Sequence, residues 1–220
     1  MMNKLDIYYM KIKAVFKKKR TAKFCLVTEN EDFFDISEDL IVQYSIRRGR
    51  ELSEELFAEI KKKQRIIDVK QAAYNYASYK PRSIRQVEDK LKLMKFDSEE
   101  ISIAKNFLID FDLLDDEKFA ASYIESYLKR KSVGSSKIYQ ELLKKGINKD
   151  TAKNALAEHF PEDNKKELAI EAAEKKMRML RSKPPEKQKN SLIAYLQRQG
   201  FDWNTIRETI QKYFGNNDLD

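Results

Sequence analysis

Gly134-Ser-Ser-Lys-Ile-Tyr-Gln-Glu-Leu-Leu-Lys-Lys-Gly-Ile147 is the stretch that decides the fold. Its apolar anchors Ile138, Leu142 and Ile147, continued to Ala152, are spaced by 4, 5 and 5 residues. Val87, Leu91, Phe96 and Ile101 keep the same gaps, and so do Leu192, Leu196, Phe201 and Ile206. The copies lie roughly 50 residues apart, a period at which self-similarity marks an array of small modules. Gly146 and Gly200 stop one helix in each of two copies, and Asn148 and Asp202 restart the chain. The unit is therefore a helix–turn–helix pair, with a further helix before it.

Working outward, each copy holds three helices. Asp68–Tyr79 opens the first module and is stopped by Pro81, because the residue before a proline is pushed out of the α region. Ser83 caps the second helix, and Asp97 or Ser98, backed by Glu99 and Glu100, starts the third. Asp115 and Asp116 open the second module, with Phe119, Ala120, Tyr123, Ile124 and Tyr127 on the buried side of its first helix. Asn164 starts a longer helix in the third module, and Pro184–Pro185 breaks it from the next. From Ala73 to Leu91 is 18 residues, from Ala120 to Leu142 is 22, and from Ala169 to Leu196 is 27. The helix–turn–helix pair is thus constant, and the first helix with its loop adapts. A three-helix unit of this size buries little apolar surface alone, so stacking on neighbours matters.

Before the array, residues 10–36 form the one β region. Ile12, Ala14 and Phe16 alternate with lysines, Phe24, Leu26 and Thr28 share a face, and a short Phe33–Ile36 strand follows. Ser37 is read as the cap of a helix reaching Ile46, and Ser53 opens another. The expected fold is mainly α: three tandem three-helix repeats in an elongated curved array, preceded by a small β-meander with helices. The expected boundaries are 1–66, 67–114, 115–162 and 163–220.

The 220 residues are 41% hydrophobic and 36% charged, with five glycines and one cysteine. That is too apolar for disorder and leaves Cys25 without an intrachain disulfide partner, which fits a reducing compartment. No apolar run approaches a membrane span and no signal-type core follows the N-terminus, so the expected location is the cytoplasm. The dispersed glycines build no phosphate-cradling loop. The lone His159 falls at a helix end, Cys25 lacks a histidine partner, and the acidic run 110–117 reads as a helix start. No catalytic residue, metal or cofactor is expected.

The net charge of +8 is spread as +4, −2, +2 and +4 over residues 1–66, 67–116, 117–164 and 165–220. A moderately basic surface of this kind suits a polyanion or an acidic protein face, although a solvated lysine-rich surface gives the same totals. More telling is where the cations recur. Lys80, Arg82 and Arg85 surround the first inter-helix break, Lys129, Arg130 and Lys131 the equivalent break, and Arg181 and Lys183 the third. Lys17, Lys18, Lys19 and Arg20 form a hairpin tip, and Arg47 and Arg48 follow a helix. These are the candidate binding residues. Tyrosines 74, 76, 79, 123, 127 and 139 could stack on bases, but helical spacing makes core packing the default.

Tyr79-Lys-Pro-Arg-Ser-Ile-Arg-Gln-Val-Glu-Asp-Lys-Leu91, Leu113-Leu-Asp-Asp-Glu-Lys-Phe-Ala120 and the quoted Gly134–Ile147 stretch resemble the bacterial RecX family of regulatory proteins. The likeness is specific across the first two modules and rests on arrangement elsewhere. Lys95 stands where the family often has a helix-ending glycine. The resemblance implies a non-catalytic modulator, usually an inhibitor, of the RecA recombinase. It implies a place in the groove of RecA–DNA filaments, opposing strand exchange and ATP hydrolysis. The expected partners are the RecA filament with single-stranded and also double-stranded DNA, met by a monomer away from any membrane. The rival reading is a helix-turn-helix regulator acting directly on duplex DNA. Against it, the third helix of the first module presents Glu99, Glu100 and Asp110.

Overall fold

The computed structural model describes residues 9–19 and 21–215. Strands β1 (Tyr9–Lys17), β2 (Lys23–Thr28), β3 (Phe33–Ser37) and β4 (Glu51–Ser53) make one antiparallel sheet in the order β3-β2-β1-β4. Helix α1 (Glu38–Gln43) lies between β3 and β4. Then follow α2 (Glu54–Ser78), α3 (Ile84–Leu93) and α4 (Ser98–Asp110), α5 (Asp116–Leu128), α6 (Ser135–Lys144) and α7 (Lys149–His159), and α8 (Lys165–Leu180), α9 (Pro185–Arg198) and α10 (Trp203–Phe214).

Of the twelve repeat anchors, eleven are buried to 6% exposure or less, and Phe96 is partly buried. Four separate apolar cores result. One lies under the sheet, and one lies inside each helical triplet α2–α4, α5–α7 and α8–α10. The substantial helix–helix contacts all fall within a triplet. Accessible surface is 14894 Å², against roughly 10,500 Å² for a compact chain of this mass. The molecule is an array of small cores, not one globule.

Helix termini follow the sequence closely. Ser83 and Asp97 each make a reciprocal capping box, with Gln86 and Glu100. Asp115, Asn148 and Asp202 cap α5, α7 and α10 through their side chains. The turn after the second helix repeats three times: Phe96, Ile147 and Phe201 donate their N–H to Leu91, Leu142 and Leu196. Lys95, Gly146 and Gly200 sit in that turn at φ 63°, 89° and 80°.

Several expectations are corrected. The helix opened by Ser53 and the helix expected at Asp68–Tyr79 are one 25-residue helix, α2. Asp68 does not cap anything; it pairs with Lys23 at 2.7 Å and accepts from Gln64. Ser37 precedes α1 but its hydroxyl makes no cap bond and is buried without a partner. Gln64 takes the Ser37 N–H instead. Helix α1 ends at Gln43, not Ile46, with Ser45 at φ 48°. Asn164 ends a 3-10 turn (Glu162–Asn164) and starts α8 without a side-chain cap bond. The alternation Ile12–Ala14–Phe16 is broken by a bulge between Ile12 and Ala14. Beyond it Val15 packs on the core and Phe16 is 49% exposed.

Candidate nucleic-acid or polyanion interface

The seam between the first two triplets gathers most of the charge that the sequence places at the first two breaks. Pro81 ends α2, and the 79–82 loop leads into the Ser83 cap of α3. Opposite it, Asp115 accepts from the N–H groups of Glu117 and Lys118 and starts α5 in a fixed register. That register places Phe119, Tyr123 and Tyr127 in one ladder, with ring centroids 5.9 and 5.6 Å apart. Helix α5 then stops, and Arg130 and Lys131 turn back with their N–H groups on the Tyr127 carbonyl.

A cleft of about 440 Å³ opens between these elements. Its lining holds five cations, Lys80, Arg82, Arg130, Lys131 and Lys145, beside the aromatic ladder and Gln86. No carboxylate lines it. Among the described residues none of the five cations forms an ion pair within 4.0 Å. The Arg82 guanidinium lies 4.0 Å over the Tyr76 ring, and its Nε is buried with no hydrogen-bond partner. Lys131 lies 5.3 Å over Tyr127 and Lys145 6.0 Å over Tyr123, so rings hold the cations where carboxylates otherwise would. Burial pushes the Tyr123 phenol up, Glu141 adds to this and Arg130 opposes it. The phenol therefore stays a hydroxyl donor at neutral pH.

The joint itself is a tight contact onto a backbone carbonyl that occurs twice. Ser83 Oγ donates to the Lys145 carbonyl, and Gly134 N–H donates to the Gln199 carbonyl. In each case the start of one triplet's second helix meets the residue before the turn glycine of the next triplet. A Cβ at Gly146 would lie 2.4 Å from Arg85 Cβ, and one at Gly200 2.3 Å from the Lys137 nitrogen. Asp116 adds a bond across the first seam by accepting from the Ile84 N–H at 2.9 Å. Burial raises its carboxyl above the ordinary range, Asp115 and Glu88 add to this, and the Ile84 bond opposes it.

At the second seam, aligning Lys131–Ser132–Val133–Gly134 with Lys80–Pro81–Arg82–Ser83 puts Val133, 1% exposed, where the first has Arg82. Ser132 there donates to Glu171 at 2.8 Å and accepts from Lys175 at 3.1 Å. The same place in the fold is thus cationic and open in one seam, and closed around a carboxylate in the other.

The remaining candidate residues do not join the cleft. Arg85 lies on α3, 3.7 Å from Asp89 and packed against Gly146, and Lys129 is exposed and does not line the cleft. Lys18 pairs with Asp35 at 2.7 Å, Lys17 lies 5.9 Å over the Phe24 ring and Lys19 is exposed. Arg20 lies outside the described residues. Arg47 and Arg48 share a shallow hollow with Arg50. Arg181 faces Glu174, Arg178 and Tyr213, while Lys183 is exposed beside the Gln188 amide, which donates to its carbonyl. The basic residues thus do not form one continuous face. Lys145 and Gln86 were missed by the sequence reading. The signal was available, since Lys145 precedes a repeat glycine, but only the joint brings it to the first module.

Comparison with known proteins gives a consistent picture. The model of the second three-helix domain of RecX matches residues 115–156, and that of the third matches residues 162–210. Regulatory protein RecX of Bacillus subtilis (strain 168) is 29% identical over 204 residues, covering 93% of this chain and 77% of the relative. Regulatory protein RecX of Clostridium botulinum (strain Eklund 17B / Type B) is 30% identical over 205 residues, covering 92% and 95%. A crystal structure of a regulatory protein RecX superposes with a TM-score of 0.70 at 26% identity, covering 92% of this chain and 99% of that one. RecX from Lactobacillus salivarius superposes with a TM-score of 0.61 at 31% identity, covering 67% and 96%.

Proposed function

The chain belongs to the RecX family of regulatory proteins, and from that premise we propose that it is a non-catalytic inhibitor of the RecA recombinase. On this reading the array lies in the groove of RecA–DNA filaments and opposes strand exchange and ATP hydrolysis. The observation that supports it is the seam: five cations without carboxylate partners, at the joint of an array whose triplets touch lightly. Phosphates of bound DNA, single-stranded in the filament or of incoming duplex, supply the missing countercharge. Successive triplets then engage neighbouring protomers, so that weak contacts add through their linkage.

The test is the rate of ATP turnover by a recombinase on single-stranded DNA with this protein at substoichiometric dose. Wild type should slow turnover. The variant Lys80→Gln/Arg82→Gln/Arg130→Gln/Lys131→Gln/Lys145→Gln should need about tenfold more protein for the same effect, roughly 1.4 kcal/mol of linked binding. Undiminished inhibition by that variant would place the contact face elsewhere. Direct action on duplex DNA alone, without filament, would instead appear as steeply salt-dependent duplex binding that the recombinase does not enhance.

A further inference from the structure

From the cleft between the first two triplets we infer a second property: it is a binding site for a compact polyphosphate anion of the nucleoside di- or triphosphate class. This rests on reading the seam as an anion-facing surface, but not on the recombinase.

Five cations with no carboxylate partner face about 440 Å³, a small-molecule volume. A single phosphodiester brings one negative charge to such a space, whereas two or three linked phosphoryl groups bring three or four. Guanidinium groups favour such oxygens because they bond them in pairs. The Arg82 Nε is buried without a partner, so the protein alone does not satisfy this guanidinium.

The boundary favours a compact anion as occupant of the cleft itself and leaves a DNA backbone to pass across its mouth. Across the 79–82 loop, the adjoining hollow is lined by Asp112, Asp115 and Lys118 besides Lys80 and Arg82 of the cleft itself. Asp112 pairs with Lys118 at 2.6 Å, so that side adds no unpaired cation beyond Lys80 and Arg82 of the cleft itself. Glu141 stands beside Lys144 at 2.9 Å and acts electrostatically on Tyr123. A strand leaving the cleft in these directions meets carboxylates. A compact anion does not leave.

The rest of the lining accommodates the nucleoside. The Gln86 side-chain oxygen is held by the Ser83 N–H, and its amide nitrogen remains a donor. The Phe119–Tyr123–Tyr127 ladder gives an apolar wall. A ligand held by Arg82 on one side and by Lys131 and Lys145 on the other spans the joint. It therefore ties the first two triplets together and opposes unfolding by mass action.

The experiment is calorimetric titration of the full chain, without recombinase or metal, at about 0.15 M salt, where long-range surface attraction is screened. The probes are inorganic tripolyphosphate, ATP and a short oligothymidylate. Saturable one-to-one binding of tripolyphosphate and ATP is expected, with a rise in Tm. Affinity should fall at least tenfold in Arg82→Gln/Lys131→Gln. The variant Lys131→Gln/Lys145→Gln, which spares the Arg82–Tyr76 contact, should lose affinity similarly while keeping its fold. Arg47→Gln/Arg48→Gln, which removes the same number of charges elsewhere, should bind as wild type. Tighter binding of ATP than of tripolyphosphate would add the nucleoside to the site. The inference is overturned if neither compact phosphate binds, if the Arg47/Arg48 variant loses as much, or if only the oligonucleotide binds. Because the recombinase is absent, such a failure leaves the ATP-turnover test standing.

Discussion

At the scale of single residues, the turn positions Lys95, Gly146 and Gly200 show how one backbone conformation is filled under different constraints. All three have positive φ, which costs a side-chain-bearing residue about 1–2 kcal/mol. Lys95 tolerates this because no preceding triplet presses on it. Arg65 donates to its carbonyl at 3.1 Å and grips Glu100 through two bonds of 2.7 Å. The Arg65 guanidinium also covers Phe96 at 4.8 Å, the one anchor left partly exposed. Gly146 has the opposite situation, with Arg85 where a Cβ would go. Gly146→Ala should therefore cost about 2–3 kcal/mol in urea unfolding, from the φ penalty plus loss of the joint contact. Lys95→Ala should stay within about 0.5 kcal/mol of wild type. A Gly146→Ala loss no larger than the φ penalty of about 1–2 kcal/mol would mean that the joint contact contributes nothing. Lys95 therefore fits the repeat and marks its first turn.

At the scale of elements, capping carries the fold, and the Asp202 cap of α10 is its clearest electrostatic case. Burial works against its carboxylate. The Thr205 N–H and hydroxyl and the Lys165 ammonium outweigh that and bring it to about 2, from an ordinary 3.8. A lowered folded-state value means that this stabilisation is complete above about pH 4 and is lost as pH falls toward 2. Asp202→Ala should cost about 1 kcal/mol at neutral pH. The gap between variant and wild type, followed by circular dichroism during acid titration, should close below pH 2. A constant gap would assign the loss to packing. The caps, turns and triplet register were legible in the sequence because each is written within four or five residues. What was not legible depends on distant partners. The bulge after Ile12 is set by pairing with β2, and β4 exists because three residues, Glu51–Ser53, find β1. The cleft was half legible for the same reason: four of its cations flank breaks in the chain, whereas Lys145 arrives through a joint. Its emptiness of carboxylates appears only when the two seams are compared in space.

At the scale of the whole molecule, the seams are thin and the triplets are tied mainly by a few hydrogen bonds and glycine contacts. The N-terminal sheet is attached differently. Phe57 and Ile60 of α2 belong to the sheet core, and Val69, Ala73 and Ala77 of the same helix belong to the first triplet. With no Gly or Pro between Glu54 and Ser78, that helix is an unbroken rod of roughly 37 Å. It acts as a keyed axle: the sheet's angular setting against the array is fixed by residue count, with Lys62–Glu99 and Arg65–Glu100 holding the axle against α4. One alanine inserted after Asp68 should turn the sheet about 100° around the axle, and four should turn it only about 40° while pushing it about 6 Å outward. Inter-label distances from spin pairs on the sheet and on α4 would read these angles, and unchanged distances would show that the helix had yielded instead. Whatever the sheet presents is therefore aimed at a bearing that a single added residue would spoil.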